Sequence, residues 1–337
     1  MPASHPGRRH FLAGIAGAAL VPNAIRAANA PYRIAFANIN ETPGVRIEGL
    51  GFTGFDVRRG FELASRTLPV EMIYYDNAAD AETAVSNAVE AISQKVDLLI
   101  EYNAETSANP EIARRMAAAG IPVFAINYPV GEAPLFTADN LAAGGIAGQA
   151  VGAFSKQSWP DDTPVAAILG DVGDPGDAVA QRIKGVIAGL HAEFANVEPT
   201  LLDTGGQPQR GDGLLTKYLA QQPRRKVLVA TLDDPTTLWA RTAVEVAVRI
   251  NDCVIVSQGL DRSIHGGASE KKEIDPTNRA SVVLGSVAYY LDRYGYEVLP
   301  LALRLLKGEA VPARTVTRHI LVTGANVFRQ YPPTDMN

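Results

Sequence analysis

Amides and carboxylates recur where short apolar runs end: Asn38-Ile39-Asn40-Glu41, Asp76-Asn77, Glu101-Tyr102-Asn103, Asn127-Tyr128, Asp171 through Asp177, Asp233-Asp234 and Gln258-Gly259-Leu260-Asp261. A carboxylate accepts hydrogen bonds, an amide accepts and donates, and Tyr and Phe interleave with them. That mixture suits a ligand with many hydroxyls, each a donor and an acceptor, and with a C–H face for an aromatic ring. Catalytic readings lack their residues. No Gly-x-Ser-x-Gly elbow and no Gly-Lys-Ser/Thr phosphate loop occurs, so neither a serine nucleophile nor a P-loop is expected. Gly49-Leu50-Gly51-Phe52-Thr53-Gly54 matches the dinucleotide pattern by letter, but it lies about a dozen residues past the nearest strand, outside a strand–turn–helix context. His5, His10, His191, His265 and His319 show no metal-ligand spacing, and Asp171, Asp174 and Asp177 lack the rest of a calcium loop. Asp233-Asp234 could serve as an acid–base pair, yet Asp before Pro235 is also the signature of a helix cap. The single Cys253 sits in the apolar run Cys253-Val254-Ile255-Val256 and reads as a small buried hydrophobe. No cofactor, metal or enzymatic activity is expected.

These residues need elements to carry them. Tyr32–Ala37, Val70–Tyr75, Asp97–Ile100 and Ile121–Ile126 read as strands, separated by helical periods to Leu68, from Ala81 to Lys95 and from Pro110 to Ala119. The rhythm restarts with helix Ala142–Phe154, and strands at Val165–Leu169, Thr200–Leu202, Lys226–Ala230 and Val254–Ser257 alternate with helices Ala178–Phe194, Asp212–Gln221 and Pro235–Ile250. Runs that are apolar throughout build parallel sheets buried on both faces. The expected fold is therefore α/β, with two doubly wound parallel-sheet lobes. Trp239, Ala243, Val246 and Ile250 have the spacing of a helix core face. Ligands of such sheets sit at the carboxyl ends of the strands.

The 337 residues carry a net charge of −5 and no basic run, which does not suit a nucleic-acid surface. At the start, Gly7-Arg8-Arg9-His10-Phe11-Leu12 leads into a short apolar stretch and a small-residue exit at Ala28-Asn29-Ala30. This is the layout of a twin-arginine export signal over residues 1–30, so the expected location is the periplasm.

The chain from 32 to 325 resembles the bacterial periplasmic sugar-binding proteins of the ribose/galactose type, substrate-binding subunits of ABC importers. Phe136-Thr137-Ala138-Asp139-Asn140-Leu141-Ala142-Ala143-Gly144 is similar to the family's entry into a second lobe. Arg182-Ile183-Lys184-Gly185 is similar to its Arg-x-x-Gly helix, Asp233-Asp234 to an Asn-Asp pair, and Gly285–Gly295 to a returning segment. The resemblance implies a type I periplasmic binding protein fold with a three-crossing hinge that closes around a ligand. The crossings are expected near Tyr128–Pro129, Gln258–Asp261 and Ser286–Tyr289. The lobes would then be 32–128 plus 261–286 and 129–258 plus 287–325, with 326–337 a tail.

The implied function is capture of a small carbohydrate or polyol and its delivery to an inner-membrane permease, by a monomer with no nucleic-acid partner. The alternative is a sensory module that presents its closed form to a membrane receptor. Expected ligand contacts are Asn40, Glu41, Phe55, Asp76, Asn103 and Tyr128 from one lobe. Asp174, Asp177, Arg182 and Asp233 face them, with Gln258, Asp261 and Tyr289 near the hinge. Ala180, Asp233 and Tyr289 stand where the family has Arg, Asn and Gln. The loss of a cationic donor favours a ligand rich in hydroxyls, or a positively charged one, over a sugar acid.

Overall fold

The computed structural model describes residues 30–173, 175–267 and 270–332. Residues 1–29, where an export signal is expected, and Asp174 thus lie outside the described residues. Runs of Val, Ile, Leu and Ala with no polar alternation became strands buried on both faces: β8 (Val227–Thr231) and β9 (Cys253–Gly259) are buried at every position.

The first sheet has the order β2-β1-β3-β4-β5-β11 and is parallel throughout. Its strands are β1 (Tyr32–Asn38), β2 (Val70–Asp76), β3 (Leu98–Glu101), β4 (Val123–Ile126), β5 (Leu135–Thr137) and β11 (Arg314–Val316). The second sheet runs β7-β6-β8-β9-β10-β12, from β6 (Val165–Gly170), β7 (Pro199–Asp203), β10 (Val283–Ala288) and β12 (Leu321–Val322). Only β12 is antiparallel to its neighbour. Two parallel α/β lobes are the expected architecture. The short strands β5, β11 and β12, of two or three residues, carry too little pattern to be read from sequence.

The crossings between lobes differ from those expected. β10 pairs in parallel with β9, with one bulge between Val283 and Gly285, so residues up to 288 remain in the second lobe rather than returning to the first at 261. Helix α8 (Tyr294–Leu306) packs on α1 (Gly54–Ser65) and β3, and β11 joins the first sheet. The chain therefore crosses at 138–139, at Tyr289–Tyr290 and at 317–320. An apolar run shows that a strand is buried but not which sheet buries it. The segment 326–332 is also no loose tail: Val327 is fully buried, and the Tyr331 ring stacks on His265.

Two helices set up the cleft. α4 (Asn140–Ser158) and α5 (Asp177–Glu193) press together through glycines, and a methyl group at Gly144 would collide with the Arg182 carbonyl. That close approach brings the Arg182 side chain to the face between the lobes. By contrast, α7 (Asp234–Val246) stops short of Ile250, and its expected core stripe is partly wet: Trp239 is 44% and Val246 73% exposed. Ala243 alone of the four is fully buried.

Candidate functional site

The loop between β1 and α1 folds into a finger. Ile47 N–H donates to the Phe52 carbonyl (2.9 Å), Leu50 N–H donates to the Ile47 carbonyl (3.0 Å), and Arg46 bridges Thr53 in antiparallel fashion. Glu48 and Gly49 at the tip have φ of 58° and 60°. Two consecutive left-handed residues are the pattern of a tight I′ hairpin turn. The finger's base is fixed by a capping box, in which Thr53 and Asp56 satisfy each other's backbone at the start of α1.

The finger reaches across the cleft. Gly51 packs against the Asp261 carboxylate and the Pro235 ring of the second lobe, and Gly49 lies 3.2 Å, measured from a built Cβ, from Val179. Leu50 and Phe52 are buried. From the first lobe, Tyr102 Oη donates to Glu48 Oε1 (2.6 Å), Asn127 Nδ2 donates to the same oxygen (2.9 Å), and Tyr128 Oη donates to Oε2 (3.3 Å). Burial and the Glu48 charge both hold the Tyr102 and Tyr128 phenols protonated far above neutrality, so they remain donors.

Opposite them, Arg182 is completely buried. Its Nε donates to Asn140 Oδ1 (3.0 Å), and Nη1 donates to the carbonyls of Gly49 (3.1 Å) and Leu232 (3.3 Å). Nη2 donates to the Glu48 carbonyl, and the guanidinium lies 5.2 Å from the Tyr289 ring centre. Among the described residues every hydrogen bond of this buried cation goes to a neutral oxygen, and two go to the finger. Arg182 thus ties the finger to the second lobe. Tyr289 in turn donates to Gln258 Oε1 (3.1 Å).

The hinge is tied by one imidazole. His319 Nε2 accepts from Asp139 N–H (3.0 Å) and Nδ1 faces the Ala288 carbonyl (2.9 Å), so the three crossings meet at this ring. Burial lowers its pKa, which keeps it neutral with Nδ1 as the donor.

The remaining expected contacts divide. Arg182, Tyr128, Asp233, Asp261, Gln258 and Tyr289 come together around the cleft. Asn40 closes a local turn by accepting from Thr42 N–H (2.7 Å). Glu41 pairs with Arg58 (2.8 Å), and Asp76 accepts from the Glu41 and Ala78 backbone. Asn103 is buried against Asn109 (2.9 Å), anchoring the start of α3 (Asn109–Ala118). Phe55 is 65% exposed, and Asp177 is exposed at the first turn of α5. Glu48, Tyr102 and Asn127 are missing from the expected set. The stretch of about a dozen residues between the first strand and Gly49 was the one sequence signal for the first.

Asp233 is chiefly a cap. Its Oδ1 accepts from Thr236 N–H and its Oδ2 from Thr236 Oγ1, both at 2.8 Å, with Arg46 4.0 Å away. Asp233→Ala is therefore expected to lower apo stability by about 1 kcal/mol, read by calorimetry, whereas a free cleft carboxylate would leave melting unchanged.

Among the described residues no cluster of three or more His, Cys, Asp or Glu side chains could hold a metal, and no helix is long and apolar enough to cross a membrane. The arrangement is two lobes, a hinge and a polar cleft lined by hydrogen-bond donors and acceptors.

The comparisons with known proteins agree with that geometry. A protein from Mycobacterium smegmatis in complex with β-D-fucofuranose is 20% identical, covers 89% of this chain and 95% of its own, and superposes with a TM-score of 0.61. An ABC transporter periplasmic solute-binding protein from Actinobacillus succinogenes with bound D-allose is 14% identical, covers 88% and 99%, and has a TM-score of 0.66. One from Bacillus halodurans with bound myo-inositol is 17% identical, covers 91% and 100%, and has a TM-score of 0.61. At these identities the likeness shows the fold. No curated protein matches the sequence. The family model of the periplasmic binding protein domain, a family of binding proteins rather than enzymes, matches residues 48–310. This chain belongs to the periplasmic binding protein domain family.

Proposed function

We propose that the protein is an exported receptor that closes around a small polyhydroxylated ligand, a carbohydrate or polyol, and delivers it to an inner-membrane ABC importer. The observation that carries this reading is Arg182. A fully buried guanidinium at the cleft face, bonded only to neutral oxygens on both lobes, is suited to clamp an oxygen-rich molecule held between them. The sugars and cyclitol bound by the structural neighbours support the ligand class. The Arg8-Arg9 segment supports export to the periplasm, and the family supports a permease as the partner.

Hinge closure supplies the mechanism. A ligand that touches both lobes stabilises the closed state by as much as it binds closed better than open. No bond is made or broken. The test is a thermal-shift screen against pentoses, hexoses, polyols, amino sugars and sugar acids. A true ligand at a hundredfold excess over Kd adds about 2.7 kcal/mol of stability. A flat response across all five classes overturns the reading.

A further inference from the structure

The finger tip behaves as an internal ligand, and its chemistry describes what displaces it. Three neutral donors converge on one carboxylate: Tyr102 Oη and Asn127 Nδ2 on Glu48 Oε1, and Tyr128 Oη on Oε2. The same residue's carbonyl is held by Arg182, which has no carboxylate among its hydrogen-bond partners. We propose that Tyr102, Asn127 and Tyr128, with Arg182 opposite, form a carboxylate subsite, held by Glu48 of the chain's own finger until the carboxylate of a sugar acid displaces it. This rests on the receptor reading above and narrows its ligand class.

Charge balance favours an acid over a neutral sugar. A ligand carboxylate replaces that of Glu48 one charge for one, so the three donors keep an ionised acceptor and the net charge of the site is unchanged. A neutral polyol that expelled Glu48 would give the same three donors only uncharged acceptors, which bind them about half as strongly. Acceptors for the hydroxyls lie at the other end of the finger. Asp261 Oδ2 is buried with no hydrogen-bond partner and faces Gly51, and Asp233 stands beside Arg46. Withdrawing the finger exposes donors at one end and carboxylates at the other, the pattern of a molecule with an acid group on a hydroxylated chain. The sequence expectation against sugar acids counted the missing cation at Ala180 but not the three donors beneath Glu48. The left-handed backbone at Glu48, a region only glycine enters freely, marks the tip as the part of the finger held by these contacts.

The test is calorimetric titration of wild type and Glu48→Gln with two matched pairs, D-gluconate against D-glucitol and D-glucuronate against D-glucose. Each acid is expected to bind wild type at least about tenfold tighter than its neutral partner, as charge-assisted hydrogen bonds imply. Glu48→Gln removes the internal competitor and is expected to tighten the acids about tenfold while moving the neutral partners little. Should that variant fold poorly, Tyr102→Phe is expected to weaken the acids selectively. Neutral partners that bind as tightly as the acids, or variants that shift both alike, overturn the carboxylate subsite. That result beside a positive sugar in the broader screen leaves the receptor reading intact, whereas silence across the whole screen removes both.

Discussion

Arg182→Ala is expected to lower the apo stability by about 4 kcal/mol and to reduce ligand affinity by more than about a hundredfold. The side chain is fully buried and its four hydrogen bonds hold three elements together: α4 through Asn140, the β8–α7 turn through Leu232, and the finger through Glu48 and Gly49. Truncation strands the Leu232 carbonyl and the Asn140 amide without a donor, each costing about 1–3 kcal/mol, and opens a cavity beside Tyr289. Arg182→Lys keeps the charge but not the planar fork, so it is expected to recover part of the stability and little of the affinity. Limited trypsin digestion supplies a second readout. With the finger untied, cleavage after Arg46 is expected to accelerate. A variant that melts like wild type and still binds ligand would mean that Arg182 neither clamps the finger nor grips the ligand.

The alternation of helices and buried strands was legible because helical period and continuous apolar runs are local signals. The helix start at Asp233-Asp234-Pro235 was legible from capping chemistry, although the cap is Asp233, one residue before the Asp next to Pro235, and its side chain accepts the Thr236 N–H. What local signals do not encode is partnership. Val283–Ala288 is as apolar beside β9 as it would be in the other sheet, and the crossing points shifted accordingly.

The same limit governs the site. Strand-end position brought Tyr128, Asp233, Gln258 and Asp261 to the cleft, but Asn103, at an equivalent strand end, turned inward to Asn109. A polar side chain at a strand end can satisfy itself locally or face a ligand, and the choice depends on neighbours distant in sequence. Glu48 shows the converse. It lies on no element, and its role comes entirely from where a hairpin tip lands, about fifty residues from Tyr102 and eighty from Tyr128.

One buried carboxylate beneath the site predicts an unusual pH dependence. Glu101 in β3 is fully buried, with Asn77 Nδ2 donating to its Oε1 (2.7 Å) and Oε2 unpartnered among the described residues. Burial, only partly offset by the Asn77 hydrogen bond, lifts its pKa from an ordinary 4.5 to about 8. The folded protein therefore keeps a proton that the unfolded chain releases above 4.5. Unfolding releases that proton between those values, so this group's contribution to stability is complete below pH 4.5 and is lost as pH rises to about 8. Each pH unit inside the window costs about 1.4 kcal/mol, on the order of 4–5 kcal/mol in all.

Wild type is expected to melt several degrees lower at pH 8 than at pH 6, and Glu101→Gln, neutral at both, is expected to remove most of the difference and to exceed wild type at pH 8. His265 and His319, whose pKa values burial lowers, act oppositely on the acid side, so the comparison with the variant isolates Glu101. Because Asn77 Nδ2 also donates to the Tyr102 carbonyl (3.3 Å), ionising Glu101 disturbs the support of a cleft donor as well as the core. Ligand affinity should therefore weaken over the same pH range in wild type and stay level in Glu101→Gln. Parallel pH–melting curves for the two proteins would show that Glu101 ionises freely and that the buried-acid account is wrong.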